Sequence, residues 1–517
     1  MKTVTGFDPK LAALALATAL LASGCGGGGG GSTATSAAAP AAPAAPAAPA
    51  TGTVTAPVQA AVTFTNVSVH DPDVSKFGDT YYIFGSHLAA ARSTDLMNWT
   101  KIADNVTDAN PLFNKVTTAL ADTFAWAQVT DLWAPAVIQL ADGKYYMYYD
   151  ACKGDSPRSA MGVAVADKPE GPYVNKQVFL KSGMWGETSA DGTVYDAQKH
   201  PNTVDPNVFK DANGALWMVY GSYSGGIFVM QMDTATGLPK PDQGYGKHLM
   251  GGNHARIEGA YVLYSPQSKY YYLFTSWGGL AADGGYNLRV ARSISPDGPY
   301  LDAGGKDMAD VKADPAKPLF DDASIVAYGQ KLMGNHQFLL AAGESGAPVG
   351  YVSPGHNSAY YDAATNQYFL VFHTRFPGQG EYHEVRVHEL FINEDGWPVA
   401  APLRYVPLSK SAATLSAAVS AADAVGSYKF VNHGKDISAL IKQSTTLSLA
   451  AGGGVTGAGG TGTWTHTGDN HINLTLDGVA YSGVLSRQWN PNANAFAVTF
   501  SAQSMTGVSV WGVRTGG

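Results

Sequence analysis

Residues 78–86 read GDTYYIFGS, a polar turn followed by a short run of aromatic and β-branched side chains. The theme returns four times, as GKYYMYYDA at 143–151, GALWMVYGS at 214–222, SKYYYLFTSW at 268–277 and NQYFLVFHTRF at 366–376. A polar turn and a second strand-like run follow, for example NLRVARS at 287–293 and EVRVHELF at 384–391. Tyr, Phe, Val and Ile in short runs bounded by Asp-Gly and Asn-Gly turns are strand and hairpin signals. Five such hairpins at blade-scale spacing predict an all-β chain built on a five-bladed β-propeller, with long insertions where the spacing is uneven. A β-sandwich would not account for five similar hairpins, and a β-helix needs a much shorter repeat.

The pattern stops near Pro407, which sets the propeller at residues 61–406. The stretch LSKSAATLSAAVSAADAVG at 408–426 reads as a connector. Beyond it, short alternating runs with Gly-rich turns, such as GTWTHTG at 462–468 and AFAVTFSAQS at 495–504, predict a separate small β-barrel or sandwich over 425–517.

The N-terminus has a different character. Lys2 and Lys10 flank the apolar run LAALALATALLA at 11–22, too short to span a bilayer as a mature helix. It ends in LASGC at 21–25, which resembles a bacterial lipoprotein signal in which the cysteine, here Cys25, takes lipid and becomes the new N-terminus. Residues 1–25 are assigned to that signal. The resemblance implies an extracellular, cell-surface or periplasmic lipoprotein that meets a membrane only through its anchor. Residues 26–60 are Gly/Ser-rich and then Ala-Pro-rich, a flexible tether leading into a stiffer spacer that buries no core. Cys152 is the only other cysteine; with Cys25 lipidated, no disulfide forms within the chain.

At 517 residues the chain exceeds one compact core. Charged residues make up 14% and the net charge is -8, so nucleic acid, which demands a basic patch, is excluded as a partner. A neutral polysaccharide is compatible, and 27 Tyr with 10 Trp suit sugar-stacking surfaces. A monomer is expected.

NTVDPNVF at 202–209 sets Asp205 against Pro206 ahead of a strand, and HDPDV at 70–74 does the same with Asp71. Glu258, in RIEGAYV at 256–262, stands in the corresponding place of another blade. Taken singly, an Asp-Pro pair initiates a turn. On blades whose inner strands ring a channel, three acids at equivalent positions converge on one cleft. Glycosidic bond hydrolysis needs such a set: one ionised carboxylate takes a proton from water and one protonated carboxyl gives its proton to the leaving oxygen. A third raises the donor's pKa by like-charge repulsion. Substrate contacts are expected from Trp133 in DLWAPAV, from Asn202 and Thr203 on the floor ahead of Asp205, from Ser222 in GSYSGG, and from His254 four residues before Glu258. His87 is a weaker version of the same idea.

HDPDVSKFGDTYYIFGS, DLWAPAVIQLADGKYYMYY, NTVDPNVF and RIEGAYV occur in an order that resembles glycoside hydrolase family 43, over roughly residues 64 to 405. The resemblance implies a five-bladed propeller and inverting hydrolysis, with Asp71 as general base, Glu258 as general acid and Asp205 as orienter and pKa modulator of the acid. PGHNSAYYD at 354–362 resembles the arabinan-cleaving branch, which implies that His356 reaches a metal, commonly calcium, near the propeller axis. Calcium prefers oxygen ligands, so waters would complete that site. YKFVNHGKDIS, YSGVLSRQW and GVSVWG resemble the small barrel of extracellular two-domain members. Together these imply endo-hydrolysis of 1,5-α-L-arabinofuranosidic linkages in arabinan, a side chain of pectin. The alternatives are an exo-acting α-L-arabinofuranosidase or β-xylosidase, decided by loops at the cleft ends, and a non-catalytic glycan-binding surface propeller. Ala136, in WAPAV, stands where family members often carry an acid.

Overall fold

A computed structural model of the chain describes residues 62–411 and 415–516. The export signal, Cys25 and the spacer through residue 60 lie outside the described residues.

Blade 1 runs from Asp73 to Ala103, blade 2 from Trp133 to Lys181, blade 3 from Asn207 to Met250, blade 4 from Ile257 to Met333 and blade 5 from Val349 to Ala400. Each contributes four antiparallel strands in simple up-and-down order. The inner strands are Asp73–Phe77, Trp133–Gln139, Asn207–Lys210, Ile257–Tyr264 and Val349–Asp362. Each touches the next, and the fifth touches the first, so the ring is closed.

The aromatic runs are the second strands, and their burial explains their composition. An exposed sheet would alternate apolar and polar residues; these strands are apolar at successive positions because both faces are covered. In blade 1, Tyr82 and Phe84 pack against Met147 and Tyr149 of blade 2, while Tyr81 and Ile83 pack against Phe369 and Val371 of blade 5. Tyr148 of blade 2 meets Tyr220 of blade 3, Val219 of blade 3 meets Leu273 of blade 4, and Phe274 of blade 4 meets Phe372 of blade 5. Five apolar seams thus join five sheets.

Polar locks supplement the seams near the axis. Asp73 Oδ2 of blade 1 accepts from the Val137 N–H of blade 2, and Asn207 Oδ1 of blade 3 accepts from the Val262 N–H of blade 4, both at 2.9 Å. Ser358 of blade 5 accepts from the Val74 N–H at 2.9 Å and donates to the Pro72 carbonyl at 2.5 Å. Before blade 1, the Val67 carbonyl accepts from the Val385 N–H of blade 5 at 3.0 Å.

Eight of the nine strands between Gly426 and Thr515 close a barrel around Tyr428, Leu447, Trp464, Leu485 and Phe500. The barrel has its own core, and it packs against the propeller so that the described residues cluster as one compact unit. The strand Lys442–Gln443, between the first two barrel strands in sequence but outside the barrel, pairs in parallel with His336–Phe338 and so extends the sheet of blade 5. Val431, Trp511 and Val513 of the barrel share an apolar cluster with blades 4 and 5.

Replacing Ser358 by Ala strands a buried N–H and a buried carbonyl at the blade 5–blade 1 closure. The expected loss is about 1–3 kcal/mol of stability, read as a lower midpoint in thermal or denaturant unfolding. An unchanged midpoint would show that the closure does not depend on this lock.

Candidate active site

The heads of the inner strands depart from extended geometry. Asp71, Asp205, Gly259 and His356 have φ of 54°, 56°, 60° and 44°, all left-handed. With Ala134 of blade 2 they take one place on each blade, around a small axial cavity. Asp71 and Asp205 are therefore equivalent positions, as the two Asp-Pro pairs suggest. Glu258 is not level with them: Gly259 holds the equivalent position and Glu258 precedes it. The left-handed turn at Gly259 shifts the strand register between Glu258 and Tyr261, and the longer side chain still reaches the same space.

That space is a cavity of about 310 Å³ at the strand heads, lined by Asp71, Asp205 and Glu258 together with His356 and Trp133. A larger cavity of about 610 Å³ lies at the other ends of the same strands. Its one lining acid, Asp73, is engaged by the Val137 N–H, so the convergent acids belong to the smaller cavity.

Asp71 is the most heavily partnered acid. Ser86 Oγ donates to its Oδ2 at 2.5 Å, His70 Nδ1 lies 2.7 Å from the same oxygen, and His356 Nδ1 lies 3.0 Å from Oδ1. Burial alone would raise its pKa, but the charges of His356 and His70 and their hydrogen bonds outweigh that and hold Asp71 well below the usual carboxylate range. The converse holds at His356. Burial opposes its charge, yet Asp71, Asp205 and Glu258 push it up to about 10.

Asp205 and Glu258 lie on the opposite side of the balance. Glu258 accepts from Ser222 Oγ at 3.0 Å and from the Tyr286 hydroxyl at 2.7 Å. Burial raises its pKa against the His356 charge and these two donors. Asp205 Oδ2 accepts from the Gly259 N–H at 3.3 Å. Burial, opposed by the His356 charge and helped by the like charges of Glu258 and Asp71, pushes Asp205 up to about 7. Asp150 lies behind it, fully buried, accepting the Asp205 N–H at 3.3 Å, and is pushed well above the carboxylate range by burial and by Asp205. One acid held below the carboxylate range beside two raised above their ordinary values is the separation that general base and general acid chemistry requires.

The sequence of glycosyl hydrolases family 43 matches residues 63–323, and that of a C-terminal lipocalin-like domain matches residues 402–512. The chain belongs to family 43. It is 57% identical over 451 residues to extracellular endo-α-(1→5)-L-arabinanase 2 of Bacillus subtilis, covering 87% of this chain and 94% of that protein. It is 48% identical to the extracellular endo-α-(1→5)-L-arabinanase of Thermotoga petrophila, covering 90% of this chain and 97% of that one. The crystal structure of the endo-1,5-α-L-arabinanase from Thermotoga petrophila superposes with a TM-score of 0.82 at 48% identity, covering 88% of this chain and all of that one. A family 43 protein from Bacillus licheniformis also gives 0.82, at 58% identity, with 87% of this chain and 99% of that chain covered.

In this family 43 enzyme the expected substrate contacts divide. Trp133 and His87 line the cavity. Asn202 and Thr203 do not. Asn202 Oδ1 accepts from Ser159 at 2.5 Å and its Nδ2 faces Cys152 Sγ, while the Thr203 hydroxyl meets Ser182 at 3.2 Å, so both brace the interior behind the Asp205 turn. Ser222 turns its hydroxyl to Glu258 and thereby positions the acid. His254 lies outside the cavity lining, its backbone N–H bonded to the Ser224 carbonyl at 2.9 Å. His70, Ser86, Leu280 and His383 also line the cavity, and Tyr286 bonds Glu258; none of the five is marked by the motifs above as a site residue. Only His70, inside HDPD, carried a local signal.

Among the described residues, His70, Asp71 and His373 bring ligand atoms together as a metal site would, within 4.8 Å of one another. Two imidazoles and one carboxylate suit a nitrogen-preferring metal more than calcium, and His373 Nδ1 already accepts the Asp71 N–H at 3.1 Å. His356 is outside that group. Its Nδ1 faces Asp71, and its Nε2 has no hydrogen-bond partner among the described residues.

Proposed function

We propose that this chain is an inverting endo-1,5-α-L-arabinanase that cuts arabinan. The observation that carries this reading is kinship along nearly the whole chain, propeller and barrel alike, with two extracellular endo-arabinanases. We assign Asp71 as general base, an assignment supported by its suppressed pKa. It takes a proton from water as the water oxygen bonds to the anomeric carbon. We assign Glu258 as general acid, supported by its raised pKa. It passes its proton to the departing O5 of the next arabinose as the C1–O5 bond breaks. Asp205 opposes early ionisation of Glu258 by like charge and is held by the Gly259 N–H. Export and a lipid on Cys25 would place the enzyme at the cell surface, with residues 26–60 as spacer, and we read it as a monomer.

A divalent cation, calcium by resemblance, fits His356 on grounds of charge. Three buried carboxylates hold that imidazole protonated, so the position calls for a positive charge. A cation on Nε2 with water ligands would supply it, leaving Nδ1–H on Asp71. The residue's own part is to hold Asp71 ionised and in place.

Linear arabinan should yield a ladder of short arabino-oligosaccharides, with nitrophenyl arabinofuranoside and xyloside left intact. Glu258→Gln and Asp71→Asn should each lower kcat by about 10²–10⁴-fold with unfolding midpoints preserved. Release of single sugars would move the enzyme to exo action, and near-normal turnover would strip either acid of its role.

The pH profile follows from the shifts. Asp71 sits well below the carboxylate range, so the acid limb should lie at low pH. The alkaline limb reports the last proton held by the Asp205–Glu258 pair. The Tyr286 hydroxyl favours the carboxylate form of Glu258, so Tyr286→Phe should move that limb of kcat/KM to higher pH. A limb that stays or moves down would place the acid elsewhere.

Chelation should lower activity, and added calcium should restore it. His356→Ala should abolish the calcium response. An unaltered rate in metal-free protein would remove the ion from the site.

A further inference from the structure

Phe320 departs from the conformational rules that the rest of the insertion between residues 312 and 328 obeys. Its φ is 69°, a region that bulky side chains avoid. The residue is nonetheless 46% exposed, beside Leu319 at 65%. Neither burial nor backbone preference explains holding an aromatic ring there. Strain of this kind persists only where neighbouring structure imposes it, and it concentrates at ligand-contacting positions.

The imposing structure is visible. Asp322 receives a bidentate pair from Arg256, with Nε at 3.0 Å from Oδ1 and the second guanidinium nitrogen on Oδ2. Asp321 caps the following short turn through the Ala323 N–H at 2.8 Å. Arg256 lies two residues before Glu258 on the same chain segment, so the loop carrying Phe320 is pinned next to the acid. The Phe320 ring stands edge-on to Tyr223 with centroids 5.6 Å apart. Tyr223 follows Ser222, the donor to Glu258, and its hydroxyl bonds the Gly278 carbonyl at 3.3 Å. Two residues on, Leu280 lines the catalytic cavity and is 40% exposed. Tyr223 thus ties Phe320 to the 278–280 segment whose Leu280 lines the cavity.

We propose that Phe320 is a sugar-binding platform beyond the catalytic cavity, gripping the arabinan chain on the Glu258 side through the C–H face of a furanose ring. This rests on the arabinan reading above and adds to it a specificity-determining residue for long chains. The cavity alone takes the sugars around the scissile bond, whereas a polymer must continue past its rim. An exposed, immobilised aromatic ring offers apolar area at low entropic cost.

The test compares Phe320→Gly and Phe320→Trp with the wild type on linear arabinan and on arabinotriose. Glycine is unstrained at this φ, so Phe320→Gly removes the ring without a folding penalty, which an unfolding midpoint verifies. It should lower the ratio of kcat/KM on arabinan to that on arabinotriose by about tenfold, the scale of one lost aromatic contact. Phe320→Trp should keep the wild-type ratio. A ratio unchanged in Phe320→Gly, or equal losses on both substrates, would overturn the platform while leaving the endo-arabinanase reading in place. A wild-type protein that cleaves neither substrate would overturn both.

Discussion

The second strand of each blade is apolar on both faces, and the architecture follows from covering it. Tyr81 and Ile83 face one neighbour while Tyr82 and Phe84 face the other. A sheet of this kind cannot end a stack, because its outer face would stay in water. Five such sheets satisfy one another only by closing into a ring. Closure brings five strand heads to one axis, far apart in sequence but adjacent in space. Left-handed residues at four of the five heads then place Asp71, Asp205 and His356 on that axis. Each non-glycine residue in that conformation costs on the order of 1 kcal/mol, and bonds from neighbouring blades hold it there.

The same closure creates the electrostatics. Carboxylates close together in a partly dry space interact far more strongly than in water. Asp71, Asp205 and Glu258 are chemically similar, and their partners separate them. His70 and His356 sit on Asp71, so it ionises first. Glu258 meets two neutral hydroxyls, and Asp205 meets a backbone N–H with a second buried carboxyl behind it. His356 is the counter-charge shared by all three, and its contact with Asp71 favours the ionised form of that acid above the others.

Much of this was legible in the sequence, for reasons that also mark where legibility ended. The hairpins could be read because strand composition and turn residues are local. The Asp-Pro pairs could be read because proline fixes the backbone directly after the left-handed residue. Glu258 could be placed only approximately, since nothing local reveals that Gly259 rather than Glu258 takes the turn. Asn202 and Thr203 looked like floor residues because they precede Asp205. Their side chains instead answer buried hydroxyls on blade 2, a matter of tertiary packing alone. Ser222 was singled out, but its partner is Glu258, 36 residues away. Tyr286 and His383 sit in segments with no distinguishing pattern, and only the closed ring brings them to the site.

The barrel's place follows from buried cations in blade 4. Arg289 is fully buried, and one guanidinium nitrogen donates to the Lys435 carbonyl at 2.7 Å. Lys331 donates to the carbonyls of His433 and Asp436 at 3.0 and 2.7 Å. An unpaired buried charge is far costlier than a satisfied one, so Lys331 depends on the 433–436 segment, and Arg289, already bonded to the Val326 and Tyr328 carbonyls, is completed by it. The next residues press on the propeller itself. A methyl group at Gly278 would come within 2.8 Å of the Ile437 side chain, and one at Gly285 within 2.7 Å of the Ser438 nitrogen. Gly285 is followed by Tyr286, the donor to Glu258, and the 278–285 loop carries Leu280. The C-terminal domain therefore adds a carbonyl to those that blade 4 gives Arg289, supplies the carbonyls that receive Lys331, and walls the loop that borders Glu258. Its connection to the chemistry runs through packing and carbonyl oxygens, with no barrel side chain lining the cavity.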